Sequence, residues 1–169
     1  MTQEELEQAL HDVTTSNVFA SFQTEVPDNM LAHFFGIVTV TNKEDSELLW
    51  EIGFYSPEHN QITVFSTQPV KKSITDKPFG EQPDVRTLKL EEVNIPFEKA
   101  VKHMNEYCAK EFVSKKMFIL QNEKGTVVWN MTYITENFLL INCKMNATTG
   151  EEISKERSSI LGDLGHRVQ

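Results

Sequence analysis

The sequence predicts an α+β protein built from two halves, each with an amphipathic helix followed by an antiparallel meander. Apolar residues recur at three- and four-residue spacing near the start of the chain and again in its middle, which indicates helices. The stretches that follow alternate apolar and polar residues, which is typical of strands with one covered face. Eleven Phe residues and a hydrophobic fraction of 39% supply the core of an ordinary domain.

The first half begins with a predicted helix over residues 2–15. Thr2 and Glu5 have the spacing of a capping box, and one helical face carries apolar residues, namely Leu6, Ala9, Leu10 and Val13. The next stretch, "NVFASFQTEV", contains β-branched and aromatic residues and ends in the turn-forming sequence "VPDN". This composition predicts a strand there.

Three further strands are predicted in the first half. The run "LAHFFGIVTVT", residues 31–41, is apolar enough to predict a strand buried on both faces. In "LLWEIGFYS" the side chains of Trp50, Ile52 and Phe54 point one way. The turn "SPEHNQ" then leads into "ITVFST", residues 62–67, and predicts a hairpin.

Residues 68–86 interrupt these regular patterns. They carry three prolines, one glycine and mixed charge without a sustained period, which predicts a linker or an ordered excursion over the surface. The sequence is therefore divided into an N-terminal segment over residues 1–67, a second segment over residues 87–157, and a tail over residues 158–169 that docks as a short helix or frays.

The second segment opens with a short predicted strand, "TLKLEEV", after which Asn94 and Pro96 mark a helix start. One apolar stripe follows, made of Phe97, Ala100, Val101, Met104, Cys108 and Phe112. The runs "KKMFILQNEKG", "TVVWNMTYIT" and "FLLINCKMN" then predict a meander. Its core face carries Val127, Trp129, Met131, Tyr133, Leu139, Ile141, Cys143 and Met145, and its opposite, polar face carries Asn130, Thr132, Asn142 and Lys144.

Residues 93–153 resemble the PepSY-type α+β module. The resemblance rests on "IPFEKAVKHMNEYC" as the helix, "VVWNMTYIT" as the Trp-bearing strand and "INCKMNATTGEEIS" as the closing strand and turn. It implies a small non-catalytic module with inhibitory or binding roles. Asn146 stands where the family usually has an acidic residue, and a cystatin-like or nuclear-transport-factor-like cone is a similar architecture. Residues 48–67 are a weaker second copy, which suggests an internal duplication.

Charge and composition limit the partners and the compartment. Sixteen basic and twenty-five acidic residues give a net charge of −9, so we expect neither nucleic acid nor an anionic membrane as a partner. The acidic N-terminus has no secretory signal pattern, and no apolar run reaches the length of a membrane span, which predicts a cytoplasmic protein. Cys108 and Cys143 are either two buried thiols or, in an oxidising compartment, a disulfide.

Motifs for catalysis or metal binding are absent from the sequence. It has no HExxH, no GxSxG and no glycine-rich phosphate loop. Among the histidines, only His103 shares a helical face with a carboxylate at i, i+3, that of Glu106, so no metal and no cofactor are expected. His33 lies in an apolar strand and is expected to be a hydrogen-bonded core or edge residue, because a base would need Glu51 or Asp45 beside it.

The preferred function is therefore a non-enzymatic binding or protein-interaction module. A protein or peptide, or a second copy in a homodimer, would bind through a sheet face or edge, and the residues expected there are Asn130, Thr132, Asn142, Lys144 and His33. The alternative is a small-ligand or enzymatic pocket in a cone-shaped α+β fold, lined by His33 and nearby aromatic residues. A filled core with an exposed apolar patch favours the first hypothesis, and a cavity with convergent polar groups favours the second.

Overall fold

A computed structural model describes residues 1–78 and 84–161 of the protein. Within these residues the helices are α1 (Gln3–Thr14), α2 (Asn17–Glu25) and α3 (Phe97–Tyr107). The strands are β1 (Met30–Thr41), β2 (Glu44–Asp45), β3 (Leu49–Ser56), β4 (Gln61–Thr67), β5 (Val70–Asp76), β6 (Val113–Glu123), β7 (Thr126–Thr135), β8 (Leu139–Asn146) and β9 (Glu152–Ser159).

All the strands belong to one antiparallel sheet, in the order β5-β4-β3-β1-β6-β7-β8-β9, and the short β2 pairs with the end of β1. The two predicted halves meet in the middle of this sheet, because β1 pairs with β3 on one side and with β6 on the other. The fold is thus α+β and is dominated by its sheet.

The helices cover one face of the sheet, and the core lies between them. Leu6 and Val13 of α1, Phe19 and Phe22 of α2, and Phe97, Ala100 and Met104 of α3 share a single buried cluster with inward side chains of the strands. At its centre the indole Nε1 of Trp129 donates a hydrogen bond of 2.9 Å to the carbonyl of Ile95. The rings of Trp50 and Phe97 pack edge to face with centroids 5.1 Å apart, so aromatic side chains occupy the middle of the core.

Several predicted elements are confirmed. The first helix begins with the capping box of Thr2 and Glu5, and the hairpin of β3 and β4 and the meander of β6, β7 and β8 form as predicted. The helix after Pro96 also forms, but it is shorter than predicted. It ends at Tyr107, Cys108 is its buried C-cap, and Phe112 lies beyond it and is exposed.

The strand predicted for "NVFASFQTEV" is wrong, because this stretch forms α2. The hydroxyl of Ser16 accepts a hydrogen bond from the amide of Phe19 and caps the helix, and Phe19 and Phe22 are both buried. Their three-residue spacing puts both rings on one helical face. Capping and packing thus outweigh the β propensity of the aromatic residues.

The strand at residues 31–41 is also buried differently from the prediction. In β1, buried residues such as Phe34 and Val38 alternate with half-buried or exposed ones such as Phe35 and Ile37. Among the described residues, helices cover only one face of this central strand. Its other face also carries apolar side chains, which stay half-buried or exposed.

The segment predicted to be irregular over residues 68–86 begins with a strand, since Val70–Asp76 is β5 and pairs with β4. Residues 79–83 of that segment lie outside the described residues, as do residues 162–169 of the predicted tail. The tail prediction is wrong at its start, because Ser158 and Ser159 end strand β9.

The strand predicted for "TLKLEEV" is a 3-10 turn at Leu90–Glu92, preceded by an isolated bridge from Arg86 to Asn122. Asn94 does not cap α3, because Pro96 occupies the N-cap position, and the amide of Asn94 donates to the carbonyl of Ala147. No helix in the described residues is long and apolar enough to cross a membrane. Cys108 and Cys143 are free, buried thiols.

Candidate binding surface on the open face of the sheet

The sheet face that the helices leave uncovered, here called the open face, carries all the residues that the sequence predicts for a site. Strand register shows this directly, because side chains paired across antiparallel strands lie on the same face. One row runs from Phe35 through Ile119 and Asn130 to Lys144. A second row runs from Ile37 through Met117 and Thr132 to Asn142, and a third begins with His33, Gln121 and Val128.

Three of the predicted polar residues, Asn130, Thr132 and Asn142, are hydrogen-bonded to one another at one side of the open face, and Lys144 lies beside them. The side-chain amide of Asn142 donates to Oδ1 of Asn130 at 2.7 Å and to Oγ1 of Thr132 at 2.9 Å. The ammonium of Lys144 lies 2.8 Å from a carboxylate oxygen of Glu123. These groups largely satisfy one another, so this cluster offers a partner fewer free donors than the sequence suggests.

An apolar groove lies beside this polar cluster and has a volume of about 480 Å³. Its walls come from the outward side chains of four strands and the chain that follows β5, namely Phe35, Ile62, Val64, Ile74, Pro78, Val85 and Ile119. Polar side chains interrupt this lining at His33, Asp76, Lys77, Asp84 and Gln121. The groove thus combines apolar walls with several polar groups that could orient a bound molecule.

Gly53 affects the shape of the groove because it leaves room for the ring of His33. It lies on β3 between Val64 of β4 and His33 of β1, and an added Cβ would fall 2.2 Å from the His33 ring. The imidazole therefore lies in the space that a side chain at position 53 would occupy. A glycine within a strand often marks such a close approach.

His33 differs from its prediction as a hydrogen-bonded residue. Its ring nitrogens have no hydrogen-bond partner among the residues that the structure describes. Burial of the ring lowers the pKa of His33 to about 4. The imidazole is then neutral near pH 7 and offers one donor and one acceptor to the groove. The carboxylates considered as partners are engaged elsewhere, since Asp45 contacts Lys116 at 2.6 Å and Glu51 accepts from Ser73.

The edges of the sheet are less suited than its face to receive another chain. Strand β5 carries Lys71 and Lys72 next to a register shift. Strand β9 carries charged residues along its length and also pairs across a shift. Charges and bulges on edge strands hinder pairing with a further strand, so a partner is more readily accommodated on the open face.

A second polar cluster ties the turn between β3 and β4 to the chain before β1. The Ser56 hydroxyl lies 2.8 Å from Oδ2 of Asp28 and 2.9 Å from Nδ1 of His59. The backbone amide of Glu58 also donates to Asp28 and lowers the pKa of that carboxyl. Ser56 is buried, and the carboxylate contacts the serine rather than orienting the histidine, so the cluster lacks the geometry of a nucleophilic triad.

The structure also brings together residues that the sequence does not connect. His103 shares a face of α3 with Glu106 as predicted, and its Nε2 lies 2.7 Å from a carboxylate oxygen of Glu152. The thiol of Cys143 belongs to the same cluster, whose ligand atoms all lie within 4.8 Å of one another. These residues come from α3, β8 and β9, and no local spacing in the sequence links them.

No protein-family model and no curated protein matches the sequence. Among solved structures, the chain is similar to a protein from Clostridium difficile 630 described as a "putative lipoprotein", with 8% sequence identity and a TM-score of 0.49. The match covers 82% of this chain and 89% of that one. A likeness this weak carries no conclusion about the fold or function of this protein.

Proposed function

We propose that this protein is a non-enzymatic binding module that holds a peptide or protein partner on the open face of its sheet. The observation that carries the proposal is the apolar groove around Val64 and Ile119. Large apolar side chains on this face remain well exposed, among them Ile74 at 56%, Leu49 at 45% and Ile37 at 40%. Contiguous apolar surface of this kind is unfavourable in water and is typical of interaction sites.

Two further features support a partner on the surface rather than a ligand in the interior. The middle of the core between helices and sheet is occupied by aromatic side chains, including Trp50, Phe97 and Trp129. The cluster of Asn130, Thr132, Asn142 and Lys144 adjoins the groove through strand register. An apolar centre with a polar rim is the usual anatomy of a protein interface.

A small-ligand pocket is the second candidate, and the groove itself is the observation that favours it. A volume of about 480 Å³ lies within the range of small-molecule sites, roughly 300–1,000 Å³. His33, with no hydrogen-bond partner in the described residues, would fix the polar group of such a ligand.

The primary proposal is tested by selecting peptides from a random display library on the purified protein and measuring their affinity by fluorescence anisotropy. We expect selected peptides to carry apolar residues and to lose at least about tenfold in affinity to Val64→Lys, because a charge would be buried in the groove. The matched control is Val18→Lys. Val18 is also apolar and partly exposed, but it lies on α2.

Equal losses in the two variants, or no enriched peptide at all, would contradict the proposal. The alternative is distinguished by native mass spectrometry of the protein purified from cells without denaturation. A small molecule retained by the wild type and lost in Val64→Lys would support the pocket instead.

Membership of a PepSY-type or cystatin-like group, an internal duplication and a cytoplasmic location are also proposals. The order of α3, β6, β7 and β8, with Trp129 facing the core, supports the first. The two free thiols support a reducing compartment. We likewise expect neither nucleic acid nor membrane among the partners, in view of the net charge of −9. A homodimer would use the open face more readily than the sheet edges, which carry charges and register shifts.

A further inference from the structure

We propose that His103, Cys143 and Glu152 form a binding site for Zn²⁺ or a similar thiophilic divalent transition metal. The cluster lies on the helix-covered side of the sheet, so the proposal is independent of the open face.

The geometry already brings three different ligand types together. Nε2 of His103 on α3, Sγ of Cys143 on β8 and the carboxylate of Glu152 on β9 all lie within 4.8 Å of one another. Tetrahedral coordination with bonds of about 2.0–2.3 Å places ligand atoms roughly 3.5 Å apart. An ion would therefore require small shifts of these atoms, in which the 2.7 Å contact between His103 and Glu152 would widen.

The donor set indicates which metal would bind. Thiolate sulfur, imidazole nitrogen and a carboxylate oxygen are zinc ligands, and a sulfur ligand disfavours Mg²⁺ and Ca²⁺. Three protein ligands leave a fourth position for water. On binding, the Cys143 thiol gives its proton to solvent as the metal–sulfur bond forms.

Burial determines the direction from which an ion would reach the sulfur. Cys143 is 0% exposed, whereas His103 and Glu152 are each exposed by about a third at their side chains. An ion would therefore enter from the side of His103 and Glu152 and meet a sulfur held in the core.

Lys155 would compete with such an ion for the carboxylate of Glu152. Its ammonium lies 2.8 Å from Oε2 of Glu152, the same oxygen that contacts His103. The second carboxylate oxygen, Oε1, has no partner among the hydrogen bonds and ion pairs of the described residues and can bind the ion. Lys155 also sits 4.5 Å from the centroid of the Tyr107 ring, which would keep its charge stabilised if the carboxylate turned.

The test is a titration of the chelator-treated, full-length protein with Co²⁺, followed by competition with Zn²⁺. We expect a ligand-to-metal charge-transfer band in the near ultraviolet, which reports a cobalt–thiolate bond, and its loss when Zn²⁺ is added. Cys143→Ser should abolish the band. The matched control is Cys108→Ser, which removes the other buried thiol and should retain it.

His103→Ala provides a second variant, because His103 lies near the surface and its loss should leave the fold intact by circular dichroism. We expect it to weaken Co²⁺ binding by at least about tenfold, since even indirect partners of metal ligands contribute that much. The proposal is overturned if the wild type shows no charge-transfer band. It is also overturned if the band survives in Cys143→Ser, is lost in folded Cys108→Ser, or is unaffected by His103→Ala.

Discussion

At the scale of single residues, the shape of the groove depends on the pair of Gly53 and His33. The imidazole fills the place of a missing side chain, because a Cβ at position 53 would lie 2.2–2.7 Å from three ring atoms. This position needs glycine for space rather than for backbone conformation. The sequence shows a glycine in a predicted strand, but it does not show which side chain uses the space.

We expect Gly53→Ala to destabilise the protein by about 1–3 kcal/mol, since the added methyl overpacks the site and displaces the His33 ring. In a His33→Ala background the same change should cost less than about 1 kcal/mol, because the clash is gone. Urea unfolding of the four proteins in this double-mutant cycle measures the coupling. Additive effects of the two substitutions would contradict the contact.

The buried imidazole also predicts a pH dependence of stability. The pKa of His33 falls from 6.5 to about 4 in the folded protein because of desolvation, so the unfolded chain binds more protons between these values. The contribution of neutral His33 to the free energy of unfolding is therefore fully present above pH 6.5. It is lost as the pH falls towards 4, by at most about 1.4 kcal/mol per unit of pKa difference.

The measurement is urea unfolding of the wild type and of His33→Gln at several pH values from 7 to 4. The wild type should lose more unfolding free energy than the variant over this range. Parallel curves for the two proteins would show that His33 titrates normally. Carboxylates that titrate in the same range are common to both proteins and cancel in the comparison.

At the scale of elements, the sequence predicts those that have a full apolar pattern and misses those that do not. Helices α1 and α3 and strands β3, β7 and β8 each present several core residues at regular spacing. Strand β5 is half-buried at Val70 and exposed at every later position. Because neither face is covered, its sequence shows no regular alternation of apolar and polar residues. Strand β9 is likewise mostly exposed. Edge strands such as these are held by backbone hydrogen bonds to a neighbour, which periodicity cannot show.

Helix α2 was predicted as a strand although its signals were present. Ser16 before the helix and the three-residue spacing of Phe19 and Phe22 both indicate a helix, whereas the β propensity of Val and Phe favours a strand. Burial of the Phe19 and Phe22 rings favours the helix over the strand, because in the helix both rings pack against Phe54 and Phe65.

The N-cap of α2 can be tested by substitution. We expect Ser16→Ala to lower the free energy of unfolding by about 1 kcal/mol, since the amide of Phe19 loses its side-chain acceptor. Ser21→Ala is the matched control on the exposed surface of the same helix and should change stability by less than about 0.5 kcal/mol. Thermal unfolding of both variants compares them, and a smaller effect at Ser16 than at Ser21 would argue against the cap.

At the scale of the whole molecule, the pairing of β1 with β6 determines where the candidate site lies. It joins the two predicted halves into one sheet and places His33 in the same face as Asn130 and Lys144. The sequence predicts which side chains of each strand point away from the core. It does not predict the order of the strands, because strand neighbours depend on contacts between distant parts of the chain. The groove and the cluster of His103, Cys143 and Glu152 both arise from such contacts.

The central claim is that the open face is the binding surface, and chemical-shift mapping tests it most directly. A selected peptide would be titrated into the isotopically labelled protein while backbone amide resonances are followed by NMR. We expect the largest shifts on β1, β4 and β6, centred on Phe35, Val64 and Ile119, with small changes along α1 and α3. Shifts concentrated on the helices or confined to the edge of β9 would contradict the claim.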